Sequence, residues 1–176
     1  MPSLSALREA VRTVPDFPTP GILFRDITPI LSDPHLLGRA VQLLAEPYAS
    51  AGITKVAAME ARGFILGAAL ARELGAGFIP IRKKGKLPFD THVAYYSLEY
   101  GSDALEVHVD ACAPSDRVLI HDDVIATGGT ALAAIELIEQ AGGDVAGMSF
   151  LVELEALRGR DAFAQRRVPV QSLIIY

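Results

Sequence analysis

Cysteine is nearly missing from this chain: Cys112 stands alone among 176 residues. A single thiol forms no internal disulfide, so a packed core must hold the fold, and the composition suits a reducing, cytoplasmic setting. Long apolar runs are missing too. None approaches the roughly 20 residues that a membrane-spanning helix requires, so no membrane partner is expected. Positive charge is in deficit, with 16 Lys and Arg against 21 Asp and Glu and a net charge of −5. General nucleic-acid binders carry a basic surface, so nucleic acid is not an expected partner either. There is no internal repeat, no low-complexity tract and no sign of a second domain. What is present is a globular composition, 51% hydrophobic and 21% charged, of a length that suits one domain over residues 1–176.

The first residues, "MPSLSALREAVRTV", read as a short amphipathic helix with Leu4, Leu7, Val11 and Val14 on one side, not as a targeting segment. "PDFPTPGILFRDITP" packs four prolines and a glycine into fifteen residues, which predicts an extended loop without regular structure. Asp33 before Pro34 predicts the start of a helix over "DPHLLGRAVQLLAEPYAS". "KVAAME" reads as a buried strand, "ARGFILGAALARELG" as a helix ending at Gly75, and "GFIPIRK" as the next strand. Residues 82–110 are polar, aromatic and basic. Their alternation predicts a hairpin, "VAYYSLEY" and "ALEVHVD", around a Gly-Ser-Asp turn, with a loose basic leading edge. "RVLIH", "DVAGMSFLVELE" and "VQSLIIY" read as further strands, and "GTALAAIELIEQAGG" as a helix. Strands alternating with helices predict an α/β fold with a mainly parallel sheet covered on both faces. Ligands bind such sheets at the carboxyl ends of the strands.

"VLIHDDVIATGGT", residues 118–130, joins a strand to a helix. Gly128 and Gly129 permit φ > 0 and close backbone approach, Thr127 and Thr130 bring hydroxyls, and a helix starting near Thr130 points N–H groups at the loop. This is a phosphate cradle, though neither a Walker A loop nor a GxGxxG fingerprint; alone, it is also compatible with a tight turn that uses glycine. Asp122 and Asp123 sit beside it. Carboxylates repel phosphate, so the ligand must carry phosphate at one end and hydroxyls, a metal or positive charge at the other. Paired acids can accept from two vicinal hydroxyls or touch Mg²⁺ directly or through water.

This run resembles the 5-phosphoribosyl-1-diphosphate (PRPP) signature of type I phosphoribosyltransferases. "PDFPTPGILFRDITP", "EARGFILG", "IRKKGKLP", "YSLEYG" and "MSFLVELEALRGR" occur in the order found in the adenine phosphoribosyltransferase family, so the resemblance spans nearly the whole chain. It implies the type I phosphoribosyltransferase fold, with an N-terminal helix and hood (residues 1–33) and a flexible hairpin flap (residues 82–110). It also implies a homodimer of purine salvage that makes AMP and diphosphate from adenine and PRPP with Mg²⁺.

Residue by residue, the resemblance gives Ala126, Thr127, Gly128, Gly129 and Thr130 the 5-phosphate, and Asp122 and Asp123 the ribose hydroxyls. Mg²⁺ is carried by PRPP, with Asp122 or Asp123 reaching it through water and no direct metal ligand assigned. Ala61, Arg62 and Gly63 take the diphosphate, behind a cis peptide at Glu60–Ala61, and Lys83 and Lys86 approach it from the flap. Phe24 stacks on adenine, the Leu23 backbone reads its edge and Arg25 lies nearby. Glu99 is the catalytic acid/base, Tyr100 closes over the sugar, and Arg82 belongs to the lid, reaching across a dimer interface. His121 departs from the family's apolar residue and reads as a strand side chain packed on the next helix, with proton handling as the alternative. Asp90 and His92 receive no role. Two other functions stay open: transfer to another purine, and a non-catalytic PRPP sensor. The second would need a DNA-binding element that the sequence does not display.

Overall fold

The structure, a computed structural model, describes residues 2–97 and 102–176. The chain falls into two compact units, Met1–Leu43 and Leu44–Tyr176. In the first, helix α1 (Leu4–Ala10) is capped by Ser3, whose hydroxyl accepts from Ala6 N at 3.2 Å. The expected helix is shortened. Val11 caps it, and Val14 lies instead on strand β1 (Arg12–Pro15) opposite Phe24. The run Val11–Val14 holds three β-branched residues, which favour extended backbone.

The expectation that residues 15–29 lack regular structure is also corrected. Strand β2 (Leu23–Asp26) pairs antiparallel with β1, and helix α2 (Thr28–Ser32) follows. The prolines permit this by their placement. Pro15 ends a strand, Pro18 and Pro20 lie in the connection, and Pro29 occupies the first turn of α2, where its missing N–H costs no bond. Helix α3 (Pro34–Ala45) starts where Asp33 predicts, its carboxylate accepting from His35 N and Leu36 N at 2.8 and 2.9 Å.

The larger unit is built on a seven-stranded sheet. Its strands are β3 (Lys55–Met59), β4 (Gly77–Lys83), β5 (Thr91–Ser97), β6 (Ser102–His108), β7 (Arg117–Ile125), β8 (Asp144–Glu153) and β9 (Val170–Ile175). They lie in the order β5-β6-β4-β3-β7-β8-β9. The five from β4 to β9 run parallel, and the β5–β6 hairpin adds antiparallel to β4. Ser102 and Asp103 belong to strand β6 and not to a turn. Helix α4 (Arg62–Glu73) connects β3 to β4, and α5 (Gly129–Gln140) connects β7 to β8. These crossovers leave neighbouring strands in opposite directions. The right-handed rule therefore puts the two helices on opposite faces of the sheet, as the mainly parallel α/β reading requires. Ile120, Ile135, Leu137, Met148 and Phe150 are essentially inaccessible in the core between α5 and the sheet, each contributing about 1.5–3 kcal/mol by burial. Among the described residues no helix is long and apolar enough to cross a membrane.

Candidate active site at the sheet's switch point

Because β3 and β7 are neighbours whose crossovers diverge, a crevice opens at their carboxyl ends. From β3 the chain passes through a cis Glu60–Ala61 peptide into α4. From β7 it passes through Ala126–Gly128 into α5. Neither helix is capped by a side chain, and the first N–H groups of a helix have no acceptor within it. The crevice therefore lies between two helix N-termini, each suited to an anion.

Between them stand the two aspartates, placed differently from the sequence expectation. They are not beyond the strand, because β7 runs on to Ile125, held by pairing with β8 through Val124↔Val152 and Ile125↔Glu153. Asp123 is buried and ion-paired to Arg62, with Nε 2.5 Å from Oδ2. Asp122 Oδ1 accepts from Asp123 N at 2.9 Å and lies 2.7 Å from where a β-carbon on Gly63 would stand. Gly63, assigned from sequence to a backbone role toward diphosphate, thus also makes room for the acid. Burial, and then the neighbouring Asp123 charge, push the Asp122 carboxyl well above the usual carboxylate range. Arg62 bridges the α4 loop to the β7 acids across 61 residues of sequence.

The phosphate-type loop is shaped from behind. Gly128 adopts φ +83°, and a β-carbon there would sit 2.0 Å from the carbonyl oxygen of Gly159. One on Gly159 would sit 2.4 Å from the Ala126 carbonyl oxygen. The Gly128 requirement therefore comes from packing against the 3-10 segment Gly159–Arg166, in addition to any ligand. Arg160 ties this segment to β8 by two bonds to the Glu153 carboxylate, at 2.8 and 2.5 Å. Thr127 is exposed, and Ala126, Gly129 and Thr130 are partly so.

The basic turn after β4 is organised by acids. Glu60 accepts from Arg82 Nε and from Lys83 N, both at 3.0 Å, joining the α4 loop to the flap. Arg82 also donates to the Lys86 carbonyl at 2.9 Å, so the structure engages Arg82 within its own chain. Lys83 pairs with Asp103 at 2.9 Å, and Lys84 donates to the Tyr95 hydroxyl at 2.7 Å. Glu106, only 3% exposed, accepts from Lys86 N and Leu87 N at 2.8 and 2.7 Å. Burial alone would raise its pKa, but the N–H groups of Gly85, Leu87 and Lys86 reverse this and hold it below the usual range.

Leu23, Phe24 and Arg25 belong to the N-terminal unit. Leu23 is 55% exposed, Phe24 packs edge-on to Phe17 at 5.1 Å, and Arg25 donates to Thr13 Oγ1 at 2.5 Å. Glu99 and Tyr100 lie outside the described residues. His121 is fully buried on β7, its Cδ2 3.7 Å from a β-carbon placed on Gly67, so it packs on α4, the helix before its strand, and not on the next helix, which the sequence suggests. Among the described residues its ring nitrogens have no hydrogen-bond partner. Among the described residues no three His, Cys, Asp or Glu side chains gather as a metal site.

Residues 31–171 match the phosphoribosyl transferase domain model. The chain is 54% identical over 173 residues to the adenine phosphoribosyltransferase of Methylococcus capsulatus, covering 98% of this chain and all of that one. The chain belongs to the adenine phosphoribosyltransferase family. Among solved members, the adenine phosphoribosyltransferase of Rhodothermus marinus is 57% identical and superposes with a TM-score of 0.93 over 98% of both chains. That of Saccharomyces cerevisiae, complexed with an imino-altritol bisphosphate and adenine, is 40% identical with a TM-score of 0.90 over 97% of both. Within this phosphoribosyltransferase fold, Glu60, Glu106 and Gly159 are the contributors that sequence reading misses. Each acts on a partner at least twenty positions away in at least one contact, and only the glycine of "ALRGR" carried a local signal.

Proposed function

We infer that this protein transfers the 5-phosphoribosyl group of PRPP to adenine, giving AMP and diphosphate in purine salvage. The observation that carries the reading is the switch point, where two uncapped helix N-termini flank a pair of carboxylates. PRPP has that polarity: phosphate at one end, diphosphate at the other, and a diol between. In this reading Ala126–Thr130 hold the 5-phosphate and Ala61–Gly63, with Lys83 and Lys86, hold the diphosphate. Asp122 and Asp123 accept from the ribose hydroxyls, which offset the burial and the mutual repulsion that raise Asp122. Leu23, Phe24 and Arg25 receive adenine. Glu99 takes the proton from the attacking ring nitrogen, and Tyr100 helps close the site over the sugar.

Two carboxylates, with no third His, Cys, Asp or Glu gathered beside them among the described residues, fit a Mg²⁺ ion completed by substrate oxygens and water, the donor set this ion prefers. Asp122 or Asp123 would reach it, and its charge would offset that of the departing diphosphate. Much of the catalysis by this chain is then positioning and charge complementarity in a site closed to water. A homodimer in the cytoplasm completes the proposal. The test is diphosphate release from PRPP with a panel of bases. Adenine should exceed hypoxanthine and guanine by at least about 10³ in kcat/KM, the scale on which a mismatched buried donor or acceptor is rejected. Comparable rates with an oxopurine would refute the choice of adenine, and release with no base would refute the transferase.

A further inference from the structure

We propose that Glu106 is a positioning residue for diphosphate binding, an internal anion that sets the backbone of the Lys83–Leu87 turn while leaving the Lys86 ammonium free for substrate. The proposal rests on the reading of Lys83 and Lys86 as diphosphate-facing.

The turn gathers Arg82, Lys83, Lys84 and Lys86 around Gly85, which adopts φ +84°. Four cations in five residues repel one another, so the turn needs an anion to be ordered before substrate arrives. Two nearby acids meet that need in different ways. Asp103, half-buried on β6, binds the Lys83 ammonium itself. Glu106, also on β6 but 3% exposed, makes its short contacts with main-chain groups. Its Oε1 accepts from two successive N–H groups, Lys86 at 2.8 Å and Leu87 at 2.7 Å, and Oε2 lies 3.4 Å from Thr91 Oγ1. Successive N–H groups converging on one oxygen form an anion nest. From the other side, Arg82 donates to the Lys86 carbonyl at 2.9 Å. The Lys86 peptide is thus fixed at both its N–H and its C=O. Since Arg82 is also paired with Glu60, the turn is anchored to the start of α4, where the diphosphate is proposed to bind. Charge at Glu106 is balanced by peptide dipoles, so the positive side chains keep their charge for a polyanion.

The experiment is steady-state kinetics of Glu106→Gln, Lys86→Ala and the double variant, with melting temperatures. Gln keeps the shape and removes the charge. Glu106→Gln should raise KM for PRPP about tenfold, the loss of a charge-assisted hydrogen bond, while kcat and KM for adenine stay within about twofold. Lys86→Ala should raise the same KM, and the double variant should be no worse than Lys86→Ala alone, because Glu106 acts through that lysine. Effects that multiply in the double variant, or a fall in kcat without the KM change, would overturn the proposal. So would an unchanged PRPP KM in Glu106→Gln where Lys86→Ala has an effect. If neither Lys86→Ala nor Lys83→Ala affects PRPP, the underlying reading of the lysines fails, and the proposal with it. Should Glu106→Gln not fold, Glu106→Asp carries the test: it keeps the charge but draws it back by one methylene. An unchanged PRPP KM there overturns the role.

Discussion

Asp122 and Asp123 are adjacent in sequence, yet the structure treats them unequally. Asp123 has the Arg62 guanidinium, and Asp122 has the main-chain N–H of Asp123 and a raised pKa. Such a pair is costly in the free protein and favourable once donors arrive. Changing both to Asn keeps their size, removes their charge and leaves Arg62 without its Asp123 carboxylate. Charge-assisted bonds are worth about 1.5–3 kcal/mol each, so PRPP affinity measured by calorimetry should fall at least tenfold. Unchanged binding in the folded double variant would exclude the diol-accepting role. The acids themselves could be singled out from sequence because their signal is local: a strand, two carboxylates and a glycine cap within thirteen residues. Their inequality could not, because Arg62 lies 61 positions away.

At the scale of elements, the 5-phosphate loop and the 3-10 segment behind it form one packed unit. Gly128 and Gly159 meet main chain to main chain, closer than any β-carbon allows. Gly159→Ala would drive its new methyl into the Ala126 carbonyl, 2.4 Å away, and into Ile125 Cγ1, 2.8 Å away. Backbone cannot swing aside as a side chain can. A cost of about 1–3 kcal/mol from overpacking follows, seen as a lowered melting temperature. A weaker affinity for PRPP should accompany it, since Ala126 begins the loop. If stability falls but PRPP affinity does not, the segment supports the fold and not the loop's geometry. Helix starts and stops at Asp33 and Gly75 were legible because capping is decided within a few residues. The β1–β2 ribbon was not, because proline content forbids regular structure only where a proline's missing N–H is needed.

For the whole molecule, the buried histidine of the central sheet makes stability depend on pH. Burial lowers the pKa of His121 from 6.5 to about 4. Above pH 6.5 neither the folded nor the unfolded histidine holds the extra proton, and the fold keeps its full stability. Between 6.5 and 4 the unfolded chain takes up a proton that the folded one refuses, so stability falls with falling pH and levels off below about 4. The size is on the order of 3 kcal/mol. His121→Val replaces the ring with an apolar β-branched side chain suited to a central strand. Its melting temperature should therefore rise relative to the parent as pH drops from 7 toward 4.5. Parallel melting curves across that range would show that His121 does not control acid stability.

By itself the sequence determined the alternation of strands and helices, most helix boundaries, the phosphate-type loop and its acids, and the family to which they pointed. All of these depend on neighbours within one or two turns of chain, where periodicity, capping and glycine placement act directly. The tertiary structure alone decided how far β7 extends, since its last residues are strand only because β8 pairs with them. It alone decided that Arg82 is held by Glu60, and that Glu106 gathers the basic turn over 20 positions of sequence. The reason is physical. A buried charge is tolerated only where the fold brings it hydrogen-bond donors, and those donors come from whichever strand the sheet order places alongside.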